Sequence, residues 1–203
     1  RAVRFADLFC GIGGFHAALD SLGHECVFAC EIDKSAAKVY VDNHGIQPER
    51  DIRECQNLPD FDILCAGFPC QPFSKSGSQE GFQDQTRGTL FHDICSLAEI
   101  HEPAVMFLEN VPNLVAHDGG NTMRVIESRI AELGYKHWWK ILSPHNYGTC
   151  QIRKRVYIIC IRDDLVQEFD FSFPKERSFE LDIRTVLDDS VDAKYDLTKD
   201  EIY

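Results

Sequence analysis

Between residues 2 and 162, short apolar runs of β type alternate with segments of helical period, and this alternation leaves the chain very few folds to choose from. AVRFADLF, ECVFACE, Phe61 to Ala66, AVMFLEN, HWWKIL and VYIICIR read as strands. Gly14 to Leu22, Lys34 to Asn43, Thr89 to His101 and Thr122 to Leu133 read as helices between them. Strands joined through helices make crossovers, so the pattern predicts an α/β protein, a mostly parallel sheet with helices on both faces. In such sheets ligands bind outside the carboxyl ends of the strands. The residues at those ends are Phe9-Cys10-Gly11, Glu31, Pro69-Cys70 and Glu109-Asn110, which places four chemically unusual strand ends on one rim.

After Arg162 the alternation stops, and one short helix near Ile183 to Leu187 is all that its pattern supports. Charge changes at the same place. Residues 163–203 hold 13 acidic and 5 basic side chains, a net of −8, which leaves −4 of the overall −12 to residues 1–162. A net of −12 looks wrong for a nucleic-acid binder, but the body that carries the rim is only mildly acidic. The expected division is therefore a cofactor-binding and catalytic domain over 1–162 and an acidic connecting segment over 163–203. No run approaches the roughly 18 apolar residues of a membrane span, and the first residues open on a strand pattern without a signal-peptide profile. The nine cysteines lie mostly inside apolar runs without a C-x-x-C pair, so a disulfide framework and a zinc site are both disfavoured.

Two parts of the rim carry different chemistry. Gly11, Gly13 and Gly14 lie between the first strand and the first helix, where glycine permits a tight turn and close approach of an anionic group to the helix N-terminus. A plain strand-to-helix turn would have the same composition. Glu31 lies 20 residues after Gly11 at the end of the second strand, where an acid can accept two hydrogen bonds from a ribose. Asp51 is placed to reach an adenine amino group. The competing readings are a helix-capping acid for Glu31 and an ordinary loop acid for Asp51.

The other part centres on Cys70, in DILCAGFPCQPFSKSG. Gly67-Phe68-Pro69 is a stiff break that ends a strand and fixes where the next side chain points. Gln71 to Gly88 is polar, long and weakly patterned, as a lid would be. A thiol at its free pKa is mostly protonated, so a nucleophilic Cys70 needs a positive or hydrogen-bonding setting. Glu109 follows the buried run AVMFL, where partial desolvation favours the protonated acid and contact with a ring nitrogen. Arg153 and Arg155 precede the last strand, and period-2 spacing would put them on one face. Exposed edge charges, and for Glu109 a paired carboxylate at the core edge, are the alternatives.

Taken in order, these motifs resemble the cytosine-5 DNA methyltransferases. FADLFCGIGGF is similar to that family's cofactor loop, EIDKSAAKVY to its second motif, Asp51-Ile52 to its third, and GFPCQPFSKSG to its nucleophile loop. RGTLFHDI, FLENVPNL and QIRKRVYIIC follow in family order, over about residues 3 to 162. The resemblance implies the Rossmann-like fold of S-adenosylmethionine-dependent methyltransferases and methyl transfer from that cofactor to C5 of a flipped cytosine in double-stranded DNA. It assigns Cys70, Glu109, Arg153 and Arg155 to catalysis. Phe9, Gly11, Gly13, Gly14, Glu31, Ile32, Asp51, Ile52, Pro69 and Leu90 fall to the cofactor. Gln71, Ser74, Ser76, Asn110 and Val111 fall to the substrate, and Thr89 with Leu90 to the far end of the lid. Ile32 stands where many members carry a larger aromatic residue.

The family's target-recognition region and its closing Asn-containing segment have no counterpart before Tyr203. They are expected on a C-terminal continuation or a second chain. Two other functions share the motifs: an RNA (tRNA) cytosine-5 methyltransferase, and a non-catalytic regulatory or scaffold half of a split enzyme. The sequence implies no metal and no membrane partner, and a cytoplasmic or nuclear setting according to whether the source is prokaryotic or eukaryotic.

Overall fold

The computed structural model describes residues 2–55, 58–69, 89–168, 171–180, 182–188, 190 and 192. Strands β1 (Arg4–Leu8), β2 (Glu25–Cys30), β3 (Ile63–Ala66), β4 (Val105–Asn110), β5 (Tyr135–Leu142) and β6 (Arg155–Arg162) form one sheet in the order β2-β1-β3-β4-β6-β5. The pairs β1–β2, β1–β3 and β3–β4 are parallel. β6 is antiparallel to both β4 and β5. The sheet is thus mostly parallel with an antiparallel flank. Apolar patterning reports that a strand is buried but not which way it runs, so the flank could not be read from the sequence.

Helices α1 (Gly14–Asp20), α2 (Lys34–His44), α3 (Leu90–His101) and α4 (Asn121–Glu132) lie on both faces of the sheet. The period-2 alternation of the strands sorts the core into its layers. Ala6, Leu8, Leu64, Ala66, Met106, Leu108, Val156 and Ile158 face one way, onto Ile94, Leu97 and Ala98 of α3 and Met123, Ile126 and Ile130 of α4. Phe5, Ile63, Cys65 and Phe107 face the other way, onto Phe15 and Leu19 of α1. Local chemistry sets the helix ends. Asp33 accepts from Ser35 and Ala36 N–H, both at 2.8 Å, and Gly45 ends α2 at φ 70°. Thr89 Oγ1 accepts from His92 N–H and starts α3.

The chain forms two compact units. The first, Arg1–Leu142 and Lys154–Phe173, contains the whole sheet. The second is Ser143–Arg153 with Pro174–Tyr203. Within it Arg177 N–H donates to Asn146 O, Asn146 Nδ2 to Glu176 Oε2, and Cys150 Sγ to Asp182 O. The expected helix near Ile183 is a 3-10 turn, Ile183–Val186, capped by Asp182. The units do not part at residue 162. Asp163 N–H donates to Gly134 O, and the Phe171 ring packs on Trp138 with centroids 5.3 Å apart, so the chain past β6 stays with the first unit. Among the described residues, no helix is long and apolar enough to cross a membrane.

Candidate active site

Because β1 to β4 run in parallel, their carboxyl ends share one edge of the sheet, and the connections leaving them build a pocket of about 420 Å³. Phe9, Glu31, Ile32, Asp51, Ile52, Pro69 and Leu90 line it, seven of the residues expected at a cofactor. Gly11, Gly13 and Gly14 are outside its lining. Cys10 N–H donates to Cys30 O and Gly13 N–H to Cys10 O, which curls the loop tightly at the end of β1. Gly11, at φ 56°, turns its N–H onto Glu31 Oε2 at 2.8 Å. Gly13, at φ 95°, has no room for a side chain, since a Cβ there would lie 2.0 Å from His44 Nε2. Gly14 opens α1, and a Cβ there would meet nothing within 4 Å.

Glu31 is held from two sides, by Gly11 N–H on Oε2 and by Asp33 N–H on Oε1 at 2.8 Å. It is not the cap of α2, a role that Asp33 fills. A parallel bridge between Cys30 and Glu49 brings the next strand-like segment alongside β2, so that Arg50 and Asp51 stand beside Glu31 and Ile32. Asp51 caps the 3-10 turn Ile52–Glu54 and accepts from Arg53 through N–H, Nε and Nη2. The Arg53 guanidinium holds the Asp51 carboxyl below the usual carboxylate range. Burial pushes Asp93, also in the lining, upward, while His92 and Arg53 draw it back. Cys30, Arg50, Arg53, Gly67 and Asp93 line the pocket without having been singled out from the sequence. Asp93 left a signal, a lone acid in the apolar opening of α3. Gly67 was visible only as part of a strand break.

At the end of β4, Glu109 points to the α1 side of the sheet, as Phe107 does, and Asn110 to the opposite side. The antiparallel β6 delivers its first residue to the same edge. Arg155 Nε lies 2.9 Å from Glu109 Oε1, with both side chains about one-fifth exposed. This is the geometry of the alternative reading of Glu109, a paired carboxylate at the core edge. Arg153 is not brought there by strand register. β6 begins only at Arg155, and 151–154 is irregular backbone, so period-2 spacing does not extend to Arg153. It is exposed in the second unit, where its N–H donates to Ser143 Oγ.

Asn110, expected at the substrate, is buried at 2% exposure with both ends of its amide engaged. Nδ2 donates to Phe68 O and Oδ1 accepts from Val111 N–H, each at 2.8 Å. It ties the exit of β3 to the exit of β4. Val111 is exposed at 39%. Cys70, Gln71, Ser74 and Ser76 lie outside the described residues, as does the segment expected as a lid.

Behind the loop, Asp7 of β1 is fully buried. Among the described residues no donor meets either of its oxygens in hydrogen-bonding geometry. Burial pushes its carboxyl up to about 7, the His16 N–H moderates this, and the Glu31 charge adds to it. The clue was an acid in the middle of the apolar run AVRFADLF.

A family model described as C-5 cytosine-specific DNA methylase matches residues 3–203. The Type II methyltransferase M.HhaI of Haemophilus parahaemolyticus is 50% identical over 177 residues, covering 86% of this chain and 54% of that protein. The Type II methyltransferase M.MspI of a Moraxella species is 44% identical over 190 residues, covering 93% and 45%. The chain thus spans about half the length of these relatives. Among solved structures, a Spodoptera frugiperda DNMT2 mutant superposes with TM-score 0.73 at 22% identity, covering 95% of this chain and 62% of that one. The Entamoeba histolytica methyltransferase EhMeth superposes with TM-score 0.72 at 19% identity, covering 98% and 64%. The sheet and helices are therefore those of this α/β methyltransferase fold.

Proposed function

The chain belongs to the C-5 cytosine-specific DNA methylase family, and from that premise we propose that it carries the cofactor-binding and catalytic machinery for methylating C5 of cytosine in DNA. The observation that supports this reading is the juxtaposition at one sheet edge of a pocket holding a backbone-anchored Glu31 and the Glu109–Arg155 pair. S-adenosylmethionine suits the pocket. Its volume is in the range of small-ligand sites, its walls mix apolar Phe9, Ile32, Ile52 and Leu90 with carboxylates, and Glu31 has lone pairs left for ribose hydroxyls. Held there by Glu31 and the apolar walls, S-adenosylmethionine would supply an electrophilic sulfonium methyl group for C5.

The chain's own residues prepare C5 for that transfer. Cys70 thiolate adds to C6 of a cytosine taken out of the stack, and the C5–C6 π electrons shift into the ring. Glu109, carrying a proton, gives it to N3 and accepts from the exocyclic amino group, which leaves the displaced electron pair available at C5; N3 returns the proton to Glu109 when Cys70 departs. Arg155 fixes the Glu109 carboxyl and reaches the base beside it. Loss of the C5 proton to solvent then restores the C5–C6 double bond and expels the Cys70 thiolate, so the enzyme ends as it began.

Tritiated methyl transfer to a cytosine-containing duplex, with tRNA in parallel, tests the reading on the product of the native gene. Label is expected in the duplex and lost with Cys70→Ser. Full activity in Cys70→Ser would sink the covalent route, and label in tRNA alone would make the substrate RNA.

A further inference from the structure

Gly67 stands where the pocket meets the Glu109 carboxyl. It lines the pocket with Phe9 and Pro69, and its N–H donates to Leu8 O, which holds it between the ends of β1 and β3. A Cβ placed there would lie 3.7 Å from Glu109 Oε2 and 3.9 Å from Phe9 O. Neither distance is a clash. Gly67 is also absent from the glycines of positive φ, so the backbone does not demand a glycine. At such a position glycine adds conformational freedom to the unfolded chain and contributes no packing. What its missing side chain leaves is room for about one methyl group between the pocket lining and Glu109.

Resting on the methyl-transfer reading, we propose that Gly67 is a positioning residue whose missing side chain is the opening through which the methyl donor meets cytosine C5. The two reactants lie in separate compartments, the donor in the pocket and the base against Glu109. Reacting atoms must approach to about 3–3.5 Å before transfer, and a displacement of about 1 Å costs on the order of 100-fold in rate. A methyl group at Gly67 takes up part of that gap in ordinary contact with Glu109 Oε2, while Arg155 holds the other oxygen, Oε1.

Gly67→Ala in the product of the native gene tests this with four measurements: melting temperature, affinity for S-adenosylhomocysteine by calorimetry, kcat for methyl transfer, and tritium release from [5-³H]cytosine DNA without a methyl donor. The last reports addition by Cys70 and activation of C5 alone. The expected result is an unchanged melting temperature, affinity within about threefold, retained tritium release, and kcat lowered on the order of 100-fold. A kcat equal to the unaltered enzyme's overturns the proposal. So does a loss of affinity that accounts for the whole rate loss, or a collapse in melting temperature, since either makes Gly67 a part of the pocket wall or of the fold. Failure of the methylation reading looks different, because the unaltered enzyme would then bind no S-adenosylhomocysteine and transfer no methyl.

Discussion

Buried Asp7 meets no hydrogen-bond donor in good geometry among the described residues, and its carboxyl rises from 3.8 to about 7. An acid whose folded-state value lies above its unfolded value binds its proton more tightly when folded. Its stabilising contribution is complete below about pH 4 and is lost as the pH rises through about 7. Asp7→Asn keeps the neutral shape at every pH. Denaturant unfolding should therefore find variant and parent alike near pH 4, with the variant more stable by a few kcal/mol above pH 7. A constant difference between the two across that range would show that Asp7 does not titrate as its burial implies. Glu109 carries the other residue-scale expectation. Glu109→Gln preserves the size of the side chain and removes the charge facing Arg155. Its kcat should fall by about 10²- to 10⁴-fold while the affinity for S-adenosylhomocysteine holds, as steady-state kinetics and calorimetry together will report. Both acids were visible in the sequence, but only for Glu109 did the neighbouring residues suggest a use.

Two tethers between elements hold the rim in shape. At the first, the end of α2 closes on the glycine loop: Asn43 Nδ2 donates to Ile12 O, and His44 lies against Gly13 and stacks on His16 at 4.0 Å. Gly13→Ala meets both a collision and an unfavourable φ, so melting temperature and cofactor affinity should fall together. Adding His44→Ala removes the collision and leaves a residual cost of about 1–3 kcal/mol from the backbone. Complete recovery in the double variant would show that the left-handed φ is not what requires glycine. At the second tether, Asn110→Ala strands a buried carbonyl at Phe68 and the N–H of Val111, a loss of about 1–3 kcal/mol in thermal or denaturant melts. Strands and helices were legible because each element repeats its own period over several residues. The tethers were not, since Asn110 and Phe68 are 42 residues apart and neither sequence position signals the other.

For the whole molecule, the pocket belongs to the unit that contains the entire sheet, so occupying it should stabilise that unit as one cooperative body. S-adenosylhomocysteine at 100 times its Kd adds about 2.7 kcal/mol. For a chain of this size that corresponds to a rise of about 5–10 °C in melting temperature. Glu31→Ala should abolish the rise, and a full shift in that variant would place the ligand elsewhere. By itself the sequence determined the alternation of elements, the crossover fold, and the row of strand-end residues that line the pocket. Those features depend on local periodicity and on the rule that parallel strands share a carboxyl edge. Only the tertiary structure decided that β6 runs antiparallel to β4, which carries Arg155 to Glu109, that Arg153 falls outside the strand, that Asn110 is a buried tether, and that Gly67 stands between the pocket and Glu109. Strand direction and side-chain contact are set by hydrogen bonds and packing between segments far apart in the chain, and no local pattern encodes them.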